Sequence, residues 1–261
     1  MQMYATERHE QIELLLAEQG RVSVVELAER FDVTTETIRR DLDHLESVGA
    51  LRRVHGGAVA RERASTREPS LAERLERHGG AKAAIGARAL EALGADFSGS
   101  VFLDAGTTTA AVAAALAPRL SAERIEVVTH SLTLGYALAA VPGASLSLIG
   151  GRVRGLTAAA VGADTVRAIG ALRPDVAFVG TNGLSAAFGL STPDPDEAAV
   201  KRAIVESARR VVVVADAEKF GAELLVGFAP LHEIDVLVTD AAPDAELAAA
   251  LSDADVEVWL S

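Results

Sequence analysis

The sequence predicts a two-part chain: a small helical head that ends in a β-hairpin, followed by a larger α/β unit on a mostly parallel sheet. Three observations carry this. An amphipathic helix and a basic hairpin are legible between residues 32 and 59. After Gly80 the pattern changes to Ala-rich helices alternating with short apolar strands, which is how a parallel sheet reads in sequence. At 261 residues the chain also exceeds the usual size of one domain. The expected boundaries are 1–60 for the head, 61–80 for a linker and 81–261 for the α/β unit.

In the head, a first helix is expected over 6–18, with Ile12, Leu15 and Leu16 inward and Gly20 ending it. Val22 reads as a short extended link. Ser23 to Glu26 has the spacing of a capping box, opening a second helix with Leu27, Ala28 and Phe31 on its core face. Thr34 is placed to cap a third helix. That helix buries Ile38, Leu42, Leu45 and Val48, turns Arg39, Arg40 and His44 the other way, and stops at Gly49. A strand over 51–54, a turn at Gly56 and Gly57 and a return over 58–60 complete the hairpin. Three short helices and a terminal hairpin fit a winged helix-turn-helix, whose third helix enters the major groove. Composition and periodicity fit a small helical bundle with solvated arginines equally well.

The net charge of -12 bears on that choice, because attachment to phosphate needs local positive charge. From Thr37 to Arg67 there are seven arginines against four acids, so the field is positive where a DNA contact would need it. The apolar fraction of 49% is ample for a core. No apolar run reaches the ~18 residues needed to span a bilayer and the N-terminus is polar, so a cytoplasmic location is expected. With no Cys, a disulfide framework or thiol nucleophile is excluded, and the six scattered His show no ligand spacing. No metal, cofactor or catalytic residue is expected.

The linker contains Pro69, Ser70 and a short helix near 71–77, and reads as solvated. In the α/β unit, strands are expected over 101–103, 125–128, 146–149, 176–179, 211–214, 236–238 and 256–259. Helices are expected over 81–93, 109–116, 132–139, 163–169, 196–208 and 245–251. Sheets of this kind hold ligands beyond the carboxyl ends of their strands. The loops there are polar and Gly-rich: Asp104 to Thr109, Thr129 to Ser131, Gly150 to Arg152, Gly180 to Gly183 and Asp216 to Gly221. The first can present helix amides and hydroxyls to a phosphate, although a Gly-Thr cap with no ligand is common. Glu197 and Lys201, one helical turn apart, read from spacing alone as an ordinary surface pair.

The stretch ELAERFDVTTETIRRDLDHLESVGALRRVHGGAV resembles the N-terminal signature of the DeoR family of bacterial regulators. LDAGTTT, VVTHSL, LIGGRVRG, DVAFVGTNGL, EAAVKRAIVESA and VVVVADAEKFG together resemble the family's sensor domain, so the likeness covers nearly the whole chain. That domain is similar in fold to ribose-5-phosphate isomerase and CoA-transferases. The resemblance implies groove and phosphate contacts at Thr35, Thr37, Arg39 and Arg40, and wing contacts at Arg52, Arg53 and His55. It implies sugar-phosphate recognition at Asp104, Gly106, Thr107, Thr108, Thr109, His130, Gly151, Arg152, Thr181, Asn182, Gly183, Glu197, Lys201 and Lys219. The chain departs from the family at His130, where Asn is usual, which changes the hydrogen-bond inventory.

The function so implied is DNA-binding transcriptional regulation: a repressor of a sugar-utilisation operon, released from its operator by a phosphorylated sugar. The stretch TPDPDEAAVKRAIVESA is similar to fructose-operon repressors of the family, which favours fructose phosphates. One recognition helix cannot reach two half-sites, so at least a dimer is expected. The competing expectation is a sugar-phosphate isomerase or acyl-group transferase with an appended head, in which Asp104, Asp216 and Lys219 would move protons. An isomerase has no need of such a head, and no separate nucleophile stands out.

Overall fold

A computed structural model describes residues 5–19, 21–48, 50–54, 56–60, 65–66, 68–76, 78–122 and 124–261; the side chains of 17–19, 21, 52, 59, 60 and 76 lie outside that description. The chain forms two compact units, Met1–Arg63 and Ala64–Ser261. The described part of the stretch read as linker, from Ser65 onward, thus belongs to the second unit. No helix among the described residues is long and apolar enough to cross a membrane.

The first unit runs α1 (Ala5–Gln19), β1 (Arg21–Ser23), α2 (Val24–Phe31), α3 (Thr35–Ser47), β2 (Leu51–Val54) and β3 (Gly57–Ala60). The hairpin β2–β3 gains a third antiparallel strand from β1, with Val22 opposite Ala58. Ser23 caps α2 by accepting from the Val25 amide, and Thr34 caps α3 by accepting from the Thr37 amide. Between them Asp32 takes a left-handed conformation (φ 51°), which stops α2 and makes the connection short. Ile12, Leu16, Leu27, Ile38, Leu42, Leu45 and Leu51 form the core. Val48, expected in the buried stripe, is 49% exposed because α3 ends at Ser47 and Val48 serves as its cap.

One polar contact runs through this core. The Arg8 guanidinium forks onto Asp41, Nε to Oδ2 at 2.6 Å and Nη2 to Oδ1 at 3.0 Å, and His9 Nε2 lies 2.9 Å from the same Oδ1. Arg8 and Asp41 are both buried. Burial alone would raise the Asp41 carboxyl, but the hydrogen bonds and charge of Arg8 and His9 outweigh it and hold the group below its ordinary range. Removing one member of a buried pair strands the other. Asp41→Ala is therefore expected to cost the head about 3 kcal/mol. Thermal circular dichroism should show an early helical transition absent from the unsubstituted protein; an unchanged melt would refute the role.

The second unit opens with α4 (Leu71–Glu76) and α5 (Gly79–Ala89), which continues as a 3-10 turn over Leu90–Leu93. It then alternates: β4 (Gly99–Leu103), α6 (Thr107–Leu120), β5 (Ile125–Thr129), α7 (Leu132–Ala139), β6 (Ser145–Leu148), β7 (Arg152–Arg154), β8 (Ala159–Val161), α8 (Ala163–Gly170) and β9 (Val176–Gly180). There follow β10 (Gly183–Ser185), β11 (Gly189–Thr192), α9 (Pro195–Ser207), β12 (Val211–Val214), β13 (Val226–Ala229), β14 (Val236–Thr239), α10 (Ala245–Asp253) and β15 (Glu257–Leu260). Seven strands form one sheet in the order β15-β14-β12-β9-β4-β5-β6, every pairing parallel. The seven expected strands are these seven. The antiparallel pair β7–β8 and the antiparallel set β10-β11-β13 were not expected; all five strands are only three or four residues long, and β10, β11 and β13 each contain a Gly.

Strand alternation divides the core into two layers. Val211 and Val213 pack with Ile169, Ile204 and Leu251 of α8, α9 and α10. Val212 and Val214 pack with Ile85, Leu116 and Leu138 of α5, α6 and α7. A sheet covered on both faces must be apolar on both, which is why its strands read as continuous Val runs. At Gly86 the α5 and α6 backbones approach so closely that a Cβ would lie 2.6 Å from the Ala111 carbonyl carbon. From β4 the chain winds first towards β6 and later, from β9, the opposite way. The sheet's switch point therefore lies between the carboxyl ends of β4 and β9.

Candidate functional site

In the first unit the outward face of α3 carries Thr35, Arg39 and Arg40, opposite the buried Ile38, Leu42 and Leu45. The side chains of Arg39 and Arg40 are 55% and 79% exposed, and their nearest partner is Glu36, at 3.7 and 3.6 Å. Thr37 is half-buried, its hydroxyl 2.9 Å from that of the capping Thr34. Arg53 is engaged: its guanidinium pairs with Asp43 and its amide donates to Glu46 Oε1 at 2.8 Å, bracing the hairpin on α3. The side chain of Arg52, and His55 altogether, lie outside the described residues.

In the second unit each of the five polar loops follows a parallel strand, β4, β5, β6, β9 or β12, so all five open on the same edge of the sheet. At the switch point Asp104 is fully buried. Its Oδ1 accepts from the Ala105 amide at 2.8 Å and lies 3.0 Å from His130 Nε2. Its Oδ2 accepts from the Gly180 amide at 3.0 Å and from the Lys201 ammonium. Burial by itself would raise this carboxyl, but Lys201 and His130 together outweigh it and hold its pKa at about 2. Lys201 also donates to the Gly180 carbonyl at 2.9 Å. His130 Nδ1 lies 2.9 Å from the Ala160 carbonyl. Residues 104, 130 and 201, far apart in sequence, thus form one buried polar knot.

The remaining expected residues surround it. Thr107 and Thr108 are half-buried in the first turn of α6, where helix amides lack intrahelical acceptors, and Thr109 is buried, donating to the Gly106 carbonyl at 3.0 Å. Gly151 packs so closely that a Cβ would lie 1.9 Å from Thr165 Oγ1. Thr181 donates to the Gly183 carbonyl at 2.7 Å, and Asn182 Oδ1 accepts from Thr192 at 3.1 Å. Lys219 lies 3.6 Å from Asp216, whose Oδ1 is buried without a hydrogen-bond partner among the described residues. A groove of about 220 Å³ begins at Gly106 and Thr107, but its walls are the apolar side chains of α4, α6 and α7.

Two expectations change. Glu197 and Lys201 are both buried and face different partners, because α9 is packed on the sheet and not on the surface. Arg152 is the outer of two arginines on one strand face, its side chain 62% exposed and paired with Asp196, whereas Arg154, two residues on, is mostly covered. Arg154 reaches Glu68 Oε2 at 2.7 Å, Asp194 Oδ2 at 3.0 Å and Glu197 Oε1 at 3.2 Å. Asp194 also caps α9 through the Glu197 amide, and Thr157 donates to Glu197. Arg154, Thr157, Asp194 and Glu68 were missed by the sequence reading. The signal for Arg154 was available in Arg152-Val-Arg154, where period-two alternation gives two candidate arginines.

Residues 8–64 match the DeoR-like helix-turn-helix domain and residues 77–241 match the DeoR C terminal sensor domain. The chain belongs to the DeoR family. Proteins similar to it include the HTH-type transcriptional regulator GlpR of Haloferax volcanii, 37% identical over 98% of each chain. The glycerol-3-phosphate regulon repressor of Escherichia coli is 33% identical over 99% of this chain and 100% of its own length. The HTH-type transcriptional regulator FruR of Bacillus subtilis is 34% identical over 92% of each. This DeoR-family chain is accordingly a transcriptional regulator and not an enzyme, with a helix-turn-helix for operator DNA and a sensor domain for a small-molecule effector. Solved structures with a partial likeness include ribose 5-phosphate isomerase of Methanocaldococcus jannaschii, with a TM-score of 0.39 and 17% identity over 53% of each chain. The sorbitol operon regulator SorC of Klebsiella pneumoniae has a TM-score of 0.36 and 13% identity over 83% of this chain and 90% of its own.

Proposed function

We propose that this regulator is a cytoplasmic repressor of a sugar-utilisation operon, acting at least as a dimer, and that a phosphorylated sugar at the carboxyl edge of its sheet releases it from DNA. The observation that carries the reading is the convergence of five polar loops on one edge, centred on the switch point. Lys201 and Lys219 supply cationic charge there, and the start of α6 supplies amides and hydroxyls suited to phosphate oxygens. Thr35, Arg39 and Arg40 are the proposed operator contacts on α3, with the wing of Arg52, Arg53 and His55 beside them. An effector releases DNA only if it binds the DNA-incompetent arrangement better than the competent one.

The test is a DNA-shift assay on the protein's own upstream region, with fructose phosphates and glycerol 3-phosphate among the phosphorylated probes. One or more should release the operator fragment. Lys219→Ala should bind the fragment as tightly as the unsubstituted protein and lose at least about tenfold in sensitivity to the releasing compound, the worth of one charge-assisted phosphate contact. If a well-folded Lys219→Ala protein no longer binds the fragment, the division between reading head and sensor is wrong.

A further inference from the structure

The segment that leads from the reading head into the sensor is laid across the sensor's rim like a strap. The Ser65 carbonyl accepts from the Leu225 amide at 3.0 Å, and the Leu71 amide donates to the Leu156 carbonyl at 3.2 Å. Lys82 Nζ donates to the Arg74 carbonyl at 2.6 Å. Within the strap, Glu68 has a side chain only 2% exposed. Its Oε2 lies 2.7 Å from Arg154 Nη2 and its Oε1 lies 3.8 Å from Arg74 Nη1. The approach is close but misaligned, and neither oxygen has a hydrogen-bond partner among the described residues. Arg74 likewise keeps Nε and Nη2 buried without one.

A carboxylate buried this deeply, and bonded this poorly, is an unsatisfactory tenant of its seat. Burial and the neighbouring Glu197 carboxylate push its pKa up, against the opposing pull of Arg154 and Arg74. The guanidinium it faces already holds Asp194 and Glu197, so three carboxylates share Arg154. A phosphate monoester has the same sign of charge as Glu68, more acceptor oxygens and a shape that a guanidinium grips bidentately.

We propose that Glu68 is an internal stand-in for the effector's anionic group, seated on Arg154, and that the strap comes away when a phosphate takes that seat. The inference rests on the proposed phosphate-responsive reading of this edge and adds its route of transmission: the displaced residue lies on the chain that leads to the reading head. It also makes Arg154 the cation that receives the anion, a role the sequence had pointed to Arg152 for.

The test follows amide exchange by mass spectrometry in the full chain, with inorganic phosphate and glycerol 3-phosphate as probes. Saturating probe should protect the start of α6 and speed exchange at Leu71 and Leu225, the two amides that tie the strap. Glu68→Gln should show the faster exchange without probe and bind the probe about tenfold more tightly, since its seat no longer has an internal competitor. Glu68→Ala should do the same, and an unchanged melting curve for either variant establishes that it is folded. If the probe protects α6 while Leu71 and Leu225 exchange as before, and Glu68→Gln binds no more tightly, the strap is a static anchor and the inference fails alone. If neither probe, nor the fructose phosphates of the DNA-shift assay used in the same way, alters exchange anywhere in the unsubstituted protein or either variant, the phosphate-responsive reading fails and takes the inference with it.

Discussion

Lys201→Ala is expected to lower the melting temperature of the sensor unit by roughly 10 °C, from a loss of about 4 kcal/mol. Lys201 is the ammonium that neutralises a carboxylate with no access to water: Asp104 is 0% exposed and Lys201 5%. Without it Asp104 keeps His130 and two backbone amides but loses its strongest partner. The pH dependence identifies the cause. In the unsubstituted protein the Asp104 pKa is held at about 2, below its ordinary 3.8, so its stabilisation is complete above 3.8 and is lost only as pH falls through 2. In the variant, burial pushes that pKa upward, so acid relieves the stranded charge. The deficit should therefore shrink between neutral pH and pH 4. A double-mutant cycle with Asp104→Asn is the decisive measurement. The double variant should be more stable than the sum of the single losses, and strict additivity would show that the two groups do not share one electrostatic bond.

The same pair shows what could be seen in advance. The parallel strands were legible because a sheet buried on both faces must be largely apolar at successive positions, as Val211–Val214 and Val236 to Val238 are. The loops were legible because they follow those strands and are polar. Their meeting was not, since the bond between Asp104 and Lys201 spans 97 residues and no local pattern encodes it. The Arg8–Asp41 pair left a fainter trace. Arg8 stands one turn before Ile12, and Asp41 falls between Ile38 and Leu42, so each occupies a stripe that should be apolar. A charged residue in a core stripe on two neighbouring helices is a signal for a buried pair. Glu68 left no such trace: its surroundings are Pro, Ser and charges, the composition of a solvated linker, and only tertiary packing makes it buried.

Arg39→Ala and Arg40→Ala should each weaken operator binding about tenfold to hundredfold, with no change in melting temperature. Both side chains are mostly exposed and their only close partner among the described residues is Glu36, at distances where a surface ion pair is worth at most about 1 kcal/mol. Little is lost in releasing them to DNA, so the loss on substitution should appear in binding and not in stability. Salt separates their roles. An arginine on a phosphate should take about 0.9 from the slope of log affinity against log salt when removed. An arginine on a base edge should leave the slope nearly unchanged and relax discrimination by about 1–3 kcal/mol at one position. The chain's net charge of -12 makes this measurement sensitive, because the local positive face works against a general repulsion. Glu36→Ala supplies the opposite sign: it frees both guanidiniums and removes a negative charge beside the DNA, at a cost of about 0.5 kcal/mol from the first turn of α3. Operator affinity should rise. If all three variants bind like the unsubstituted protein across the salt range, this face of α3 does not meet DNA.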